Sequence, residues 1–154
     1  MKKQSFFRRT VIPLFLAIVL VTIVQMIPRY IPKAYLPSSM DEYQCQVSLL
    51  ENGKPTDMVY LTAAEGEDLY QRLATAKVMS WGLAKKDVAR SASLYRVYFD
   101  STGDGEDIEV FFNGEQQVYA GGRLYKLQGA QAQAIPDELA RFLASSDHST
   151  ALLQ

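Results

Sequence analysis

Residues 10–27 constrain this chain more than any other stretch: eighteen positions without a charge, in which Thr22 and Gln25 are the notable polar side chains. A helix over that run would rise about 27 Å, close to the roughly 30 Å hydrocarbon thickness of a bilayer. Pro13 suits the first turn, where its missing N–H costs little, and Pro28 suits the end. Lys2, Lys3, Arg8 and Arg9 precede the run, whereas Arg29 and Lys33 follow it. The spacing predicts a transmembrane helix over 10–27, and the positive-inside bias puts residues 1–9 in the cytoplasm and the remainder outside the cell membrane. Tyr30 and Tyr35 suit the headgroup level. A cleaved signal peptide would have a shorter apolar core and a small-x-small site, which Val24-Gln25-Met26-Ile27 does not offer, so the segment reads as an uncleaved signal-anchor.

Residues 41–154 hold all seventeen acidic residues but ten of the sixteen basic ones, a formal charge of −7 hidden by the near-neutral total. That acidity argues against nucleic acid as a partner, because phosphate binding needs a basic surface. It also predicts repulsion from anionic lipid, with the folded part held off the membrane by a stiff proline-rich stalk over 28–40. A single cysteine rules out an internal disulfide. The remaining chain is large enough for one core, expected over 41–143, with a flexible tail over 144–154.

Within that domain, Tyr43-Gln44-Cys45-Gln46-Val47-Ser48-Leu49 alternates with period two and reads as a half-buried strand whose apolar face includes Cys45. Asn52-Gly53 is a tight-turn pair, and a second strand covers 58–61. Thr62-Ala63-Ala64-Glu65 fits a capping box ahead of a helix with Leu69, Tyr70, Leu73 and Ala76 on its apolar stripe and an Asp68–Arg72 pair on its wet side. The stretch 78–93 is ambiguous: Trp81 and Leu83 are expected under the sheet, and Lys85-Lys86-Asp87 reads as a solvated bend. Strands follow at 94–99, 108–112, 116–120 and 123–127, with Asn113-Gly114 and Gly121-Gly122 as turns. Pro136-Asp137-Glu138 opens a last helix docked by Leu139, Phe142 and Leu143. The predicted fold class is α+β, a mostly antiparallel sheet in the order ββαββββα with two packed helices.

Candidate chemistry is sparse. His148, the sole histidine, falls in the expected tail, where a general base cannot be held in place. One His and one Cys do not build a zinc site, and no metal or other cofactor is expected. Asp100, Thr102, Asp104 and Gly105 match the first, third, fifth and sixth positions of an EF-hand loop, but the twelfth is Phe111 rather than a bidentate acid. The run 100–107 therefore reads as an exposed hairpin loop. Ser39-Met40 beyond an apolar segment is similar to the start of the type I signal peptidase motif. That likeness stops there: Asp41-Glu42-Tyr43 departs from the motif and no lysine box follows. No catalytic residue is assigned, and the chain is not expected to be an enzyme.

Strand alternation supplies the remaining lead. With Ile108, Val110 and Phe112 facing the core, Phe111 faces the opposite side of the sheet. Tyr98, Phe111 and Tyr119 would then form an exposed aromatic row suited to a protein or sugar partner.

A basic start, one apolar run and a strand-rich domain carrying Phe111-Phe112-Asn113-Gly114-Glu115 and Gly122-Arg123-Leu124-Tyr125-Lys126-Leu127 resembles small extracytoplasmic proteins of Gram-positive bacteria that have no assigned activity. The likeness covers residues 40–143, implies a cell-surface location and carries over no functional residue. The reading is a membrane-anchored extracytoplasmic, non-catalytic domain that binds a protein partner as an accessory or sensing module. The alternative is small-ligand or glycan binding on the aromatic face, which would require a concave pocket lined by Tyr98, Phe111 and Tyr119. The sequence leaves the oligomeric state open.

Overall fold

The chain's structure, a computed structural model, describes residues 10–27, 29–83 and 93–145. Helix α1 (Ile12–Met26) leads into β1 (Arg29–Tyr30) and a 3₁₀ turn (Lys33–Tyr35). The hairpin β2 (Tyr43–Glu51) and β3 (Lys54–Tyr60) comes next, then α2 (Ala63–Thr75) and β4 (Lys77–Leu83). A meander follows: β5 (Leu94–Ser101), β6 (Ile108–Phe112), β7 (Gln117–Ala120) and β8 (Arg123–Gln128). Helices α3 (Ala130–Gln133) and α4 (Ile135–Ala144) complete it. The strands form one antiparallel sheet in the spatial order β1-β4-β8-β7-β6-β5-β2-β3.

The α+β class with an antiparallel sheet stands, but the order ββαββββα does not. The structure adds β1, β4 and the one-turn α3. Arg29-Tyr30 is too short to show a period, and β4 carries an irregularity between Ser80 and Gly82 that breaks its alternation. Helix α2 leaves the β2–β3 hairpin, and the strand after it lies near the other edge, against β8 rather than β3.

Local chemistry sets most of the elements. The Thr62 hydroxyl accepts from the Glu65 N–H (3.4 Å), and the Glu65 carboxylate accepts from the Thr62 N–H (2.9 Å), closing the capping box of α2. Asn52 and Gly53 take positive φ values of 53° and 77°, as the tight β2–β3 turn requires. At the β6–β7 connection the positive φ falls on Gln116 (62°) instead of Gly114, because the Asn113 side chain organises the turn by accepting from the N–H groups of Glu115 and Gln117. Strand β3 is an outer edge, and it is blunted. Pro55 lacks an N–H, and the Met58 N–H is taken by the neighbouring Asp57 carboxylate (2.9 Å).

One face of the sheet carries the core. Val59, Val47, Val97 and Val110 are cross-strand neighbours in sequence across four strands, all 4 % exposed or less. Leu69 and Leu73 of α2 and Leu139 of α4 close over this face, with Phe142 and Leu143 packed against it. Gly66 lets α2 approach closely: a Cβ there would lie 3.2 Å from the Cys45 Cβ.

The transmembrane helix expected over 10–27 is corrected by the structure. Helix α1 has 15 residues, a rise of about 22 Å, and no helix among the described residues is long and apolar enough to cross a membrane. Its end has a local cause: Ile27, ahead of Pro28, is extended at φ −65°, ψ 120°. The segment 28–40, expected to be a stalk, is instead packed on the domain among its described residues. Arg29 and Tyr30 pair with Val78 and Lys77, and Ile31, Leu36 and Pro37 are buried. Each fully buried aliphatic side chain of this kind contributes roughly 1.5–3 kcal/mol. Proline there fixes the path of a packed strap rather than holding a spacer extended. The expectations for the side chains of Trp81 and Leu83, for the Lys85-Lys86-Asp87 bend and for the tail from 146 onward lie outside the described residues.

Tyr35 locks that strap. Its ring lies against Gly121 in the β7–β8 turn, where any Cβ would collide with the ring, and Gly121 has a φ of 54°. Gly121→Ala is expected to cost roughly 2–4 kcal/mol, from a left-handed non-glycine backbone plus the overlap. Urea unfolding of the full chain measures it, and adding Tyr35→Ala should recover the overlap component only.

Candidate functional site

The sheet face turned away from the helices brings Tyr98, Phe111 and Tyr119 together. Register shows how: Phe111 sits directly across from Tyr119 on β7 and from Arg96 on β5. Tyr98 lies across from Glu109, one pair further along the same face. The row is not fully exposed as expected: all three aromatic side chains are half-buried, because each lies beside cross-strand neighbours on the same face. Leu124 extends the band on β8 beside Tyr119, and Ser48 extends it on β2 beside Arg96.

Arg96, which sequence reasoning passed over, is the centre of the arrangement. Its Nε donates to Ser48 Oγ (3.1 Å), one terminal nitrogen donates to Gln46 Oε1 (3.3 Å), and the other reaches Glu109 Oε1 (3.4 Å). The guanidinium also lies 5.2 Å from the centroid of the Tyr98 ring, within cation–π range. Alternation places Gln46 and Ser48 on the face that should be wet, yet they are 5 % and 0 % exposed. A Gln, a Ser and an Arg at alternating positions read as ordinary solvent-facing residues, so no sequence signal marked them as a buried network. Leu50 and Leu94, paired across β2 and β5, are buried on this same face.

The loop between β5 and β6 is tied to the face. The Tyr98 hydroxyl donates to Asp107 Oδ2 (2.6 Å), and Asp107 Oδ1 accepts from the Ser101 N–H (3.1 Å). The Thr102 N–H and hydroxyl both donate to the Glu42 carbonyl. The hydrogen bond to Asp107, with smaller help from burial and neighbouring carboxylates, pushes the Tyr98 phenol up to about 12. The same bond, with the Ser101 N–H, lowers the Asp107 carboxyl. Tyr119 donates to Gln117 Oε1 (3.2 Å), and its phenol is raised chiefly by burial.

Elsewhere the described residues offer less. No group of three or more His, Cys, Asp or Glu side chains among them is disposed to hold a metal ion, and in the 100–107 loop Asp107 is already engaged. Ser39 is exposed, and Met40 packs against the core beside Gly66. Burial pushes the Cys45 thiol up to about 12, which keeps it protonated and unreactive at neutral pH. A cavity of about 520 Å³ lies between α2 and α3 and includes Arg72, Lys77, Gln128 and Gln131 in its lining. Arg72 Nε faces Asp68 (2.9 Å) and Glu138 (3.5 Å), so much of that cation's charge is balanced within the fold. A smaller cavity of about 220 Å³ lies beside Met40, Cys45 and Gly66. Neither includes Tyr98, Phe111 or Tyr119. His148 lies outside the described residues.

No protein-family model, curated protein or solved structure matches this chain.

Two outcomes test the geometry of the face. Arg96→Met leaves Ser48 and Gln46 buried without their partner and should cost about 1–3 kcal/mol in chemical unfolding. For Tyr98, a raised folded-state value favours the neutral phenol. Its contribution is therefore complete below the ordinary value of 10 and lost as pH rises through about 12. Tyrosine-resolved NMR titration should show that late ionisation, with Asp107→Asn returning Tyr98 toward 10. The depressed Asp107 acts oppositely: it holds the loop above the ordinary carboxyl range and releases it as pH falls through its lowered value.

Proposed function

We propose that this chain is a membrane-anchored, non-catalytic domain that binds a protein partner through the sheet face centred on Arg96. The observation that carries the partner reading is the grouping of Arg96, Tyr98, Phe111 and Tyr119 on one face, with Arg96 already fixed in place. Tyr and Arg are the side chains that dominate binding energy at interface centres. A guanidinium held by Ser48, Gln46 and Glu109 loses little further freedom on binding.

Helix α1 supports the membrane reading. Apart from half-buried Val19, its described large apolar side chains are exposed, from 43 % at Ile12 and Val24 to 64 % at Phe15. A helix apolar all round needs an apolar solvent. The Thr22 hydroxyl donates to the Ile18 carbonyl (2.8 Å), so it makes no demand on water.

Crosslinking of the C-terminally tagged chain in its native membrane, followed by mass spectrometry, should recover one stoichiometric protein partner. Phe111→Ser should abolish that recovery in a chain that still unfolds cooperatively, with a midpoint lowered only by the loss of a half-buried side chain. Recovery of the chain alone would falsify the partner reading.

A further inference from the structure

The chain offers almost no slack between α1 and the sheet. Helix α1 ends at Met26, and β1 begins at Arg29. From that point the strap is fixed to the domain by the Arg29–Val78 and Tyr30–Lys77 pairing, by Ile31 and Leu36 at 2 % and 5 % exposed, and by the Tyr35 ring on Gly121. An anchor joined to a rigid body by two residues cannot hold that body away from the surface in which the anchor sits. Two extended residues reach about 7 Å, no more than about the thickness of one headgroup layer.

The residues at this junction have the composition of a headgroup contact. Tyr30, 55 % exposed, carries a large exposed ring, and tyrosine favours the membrane–water interface. Arg29 and Lys33 flank it, both exposed, and neither forms an ion pair with a described residue. Lys77, also exposed, is the cross-strand partner of Tyr30. Cations in this position are attracted to lipid phosphates, although the domain as a whole is acidic.

We infer that the sheet edge formed by β1 and the strap is a lipid-binding surface, on which Arg29, Tyr30 and Lys33 contact phospholipid headgroups and seat the domain directly on the bilayer. The inference rests on the membrane reading given above. It fixes what the partner face experiences: the edge at β1 is held at the surface, and the β3 edge, seven strands away, points toward bulk solvent.

The test uses the full chain in vesicles of phosphatidylcholine with phosphatidylglycerol, labelled through Ala34→Cys or, separately, Lys54→Cys. Both positions are exposed, and native Cys45 is buried at 2 % exposure. Headgroup-nitroxide lipid should quench the probe at 34 several-fold more than the probe at 54. Arg29→Ser with Lys33→Ser should reduce that difference while the chain still floats with the vesicles. Equal, weak quenching at both positions in a chain that floats overturns the seating and leaves the anchor standing. A chain that does not float overturns both.

Discussion

One continuous apolar sheet face is the constraint to which every other element answers. Alternate residues of the central strands, among them Val47, Val97, Val110, Phe112, Val118 and Leu127, present a surface with 0 % exposure once covered. In water that surface is intolerable, and one helix cannot cover eight strands. The chain therefore lays α2 across it between β3 and β4, folds α3 and α4 back from β8, and presses the strap's Ile31 and Leu36 into what remains. The β4 position at the far side of β8 follows from that crossing, because a helix that leaves the β2–β3 edge must set the next strand down elsewhere.

The opposite face is built on different physics. None of the helices in the core cluster lies over it, and beside the buried Leu50 and Leu94 it carries a polar network centred on Arg96. Arg96 is effective here because its planar fork satisfies several acceptors on β2 and β6 at once while its flat surface covers the Tyr98 ring. Such a network is costly to leave half made and rigid when complete. The rigidity that stabilises this aromatic face also lowers the ordering cost of the docking proposed for it.

The strap couples these features to helix α1. Had residues 28–40 stayed extended, the domain's acidity would have set its distance from the lipid. Packed as they are, they bring Arg29, Lys33 and Lys77 together at the edge that α1 enters, a local cationic cluster on a domain whose formal charge is −7; on the proposed membrane reading, that cluster rather than the net charge meets the lipid.

Much of this was legible in residue order, and the reason is locality. The capping box at Thr62 and Glu65, the Asn52-Gly53 turn, the i,i+4 pair of Asp68 and Arg72 and the alternation of β5 to β8 each depend on residues within a few positions of one another. So did the placement of Tyr98, Phe111 and Tyr119 on one face, since a strand's pleat assigns sides by parity alone. What the sequence could not supply was anything that joins distant segments. A two-residue β1 has no period to detect, and Pro32 and Pro37 look the same in a free stalk as in a docked strap. Burial of Gln46 and Ser48 depends on Arg96, 48 or more positions away along the chain. Local hydrogen bonding and periodicity thus determined which elements exist, whereas the need to cover one apolar face and satisfy one buried polar network decided, only in three dimensions, where each was placed.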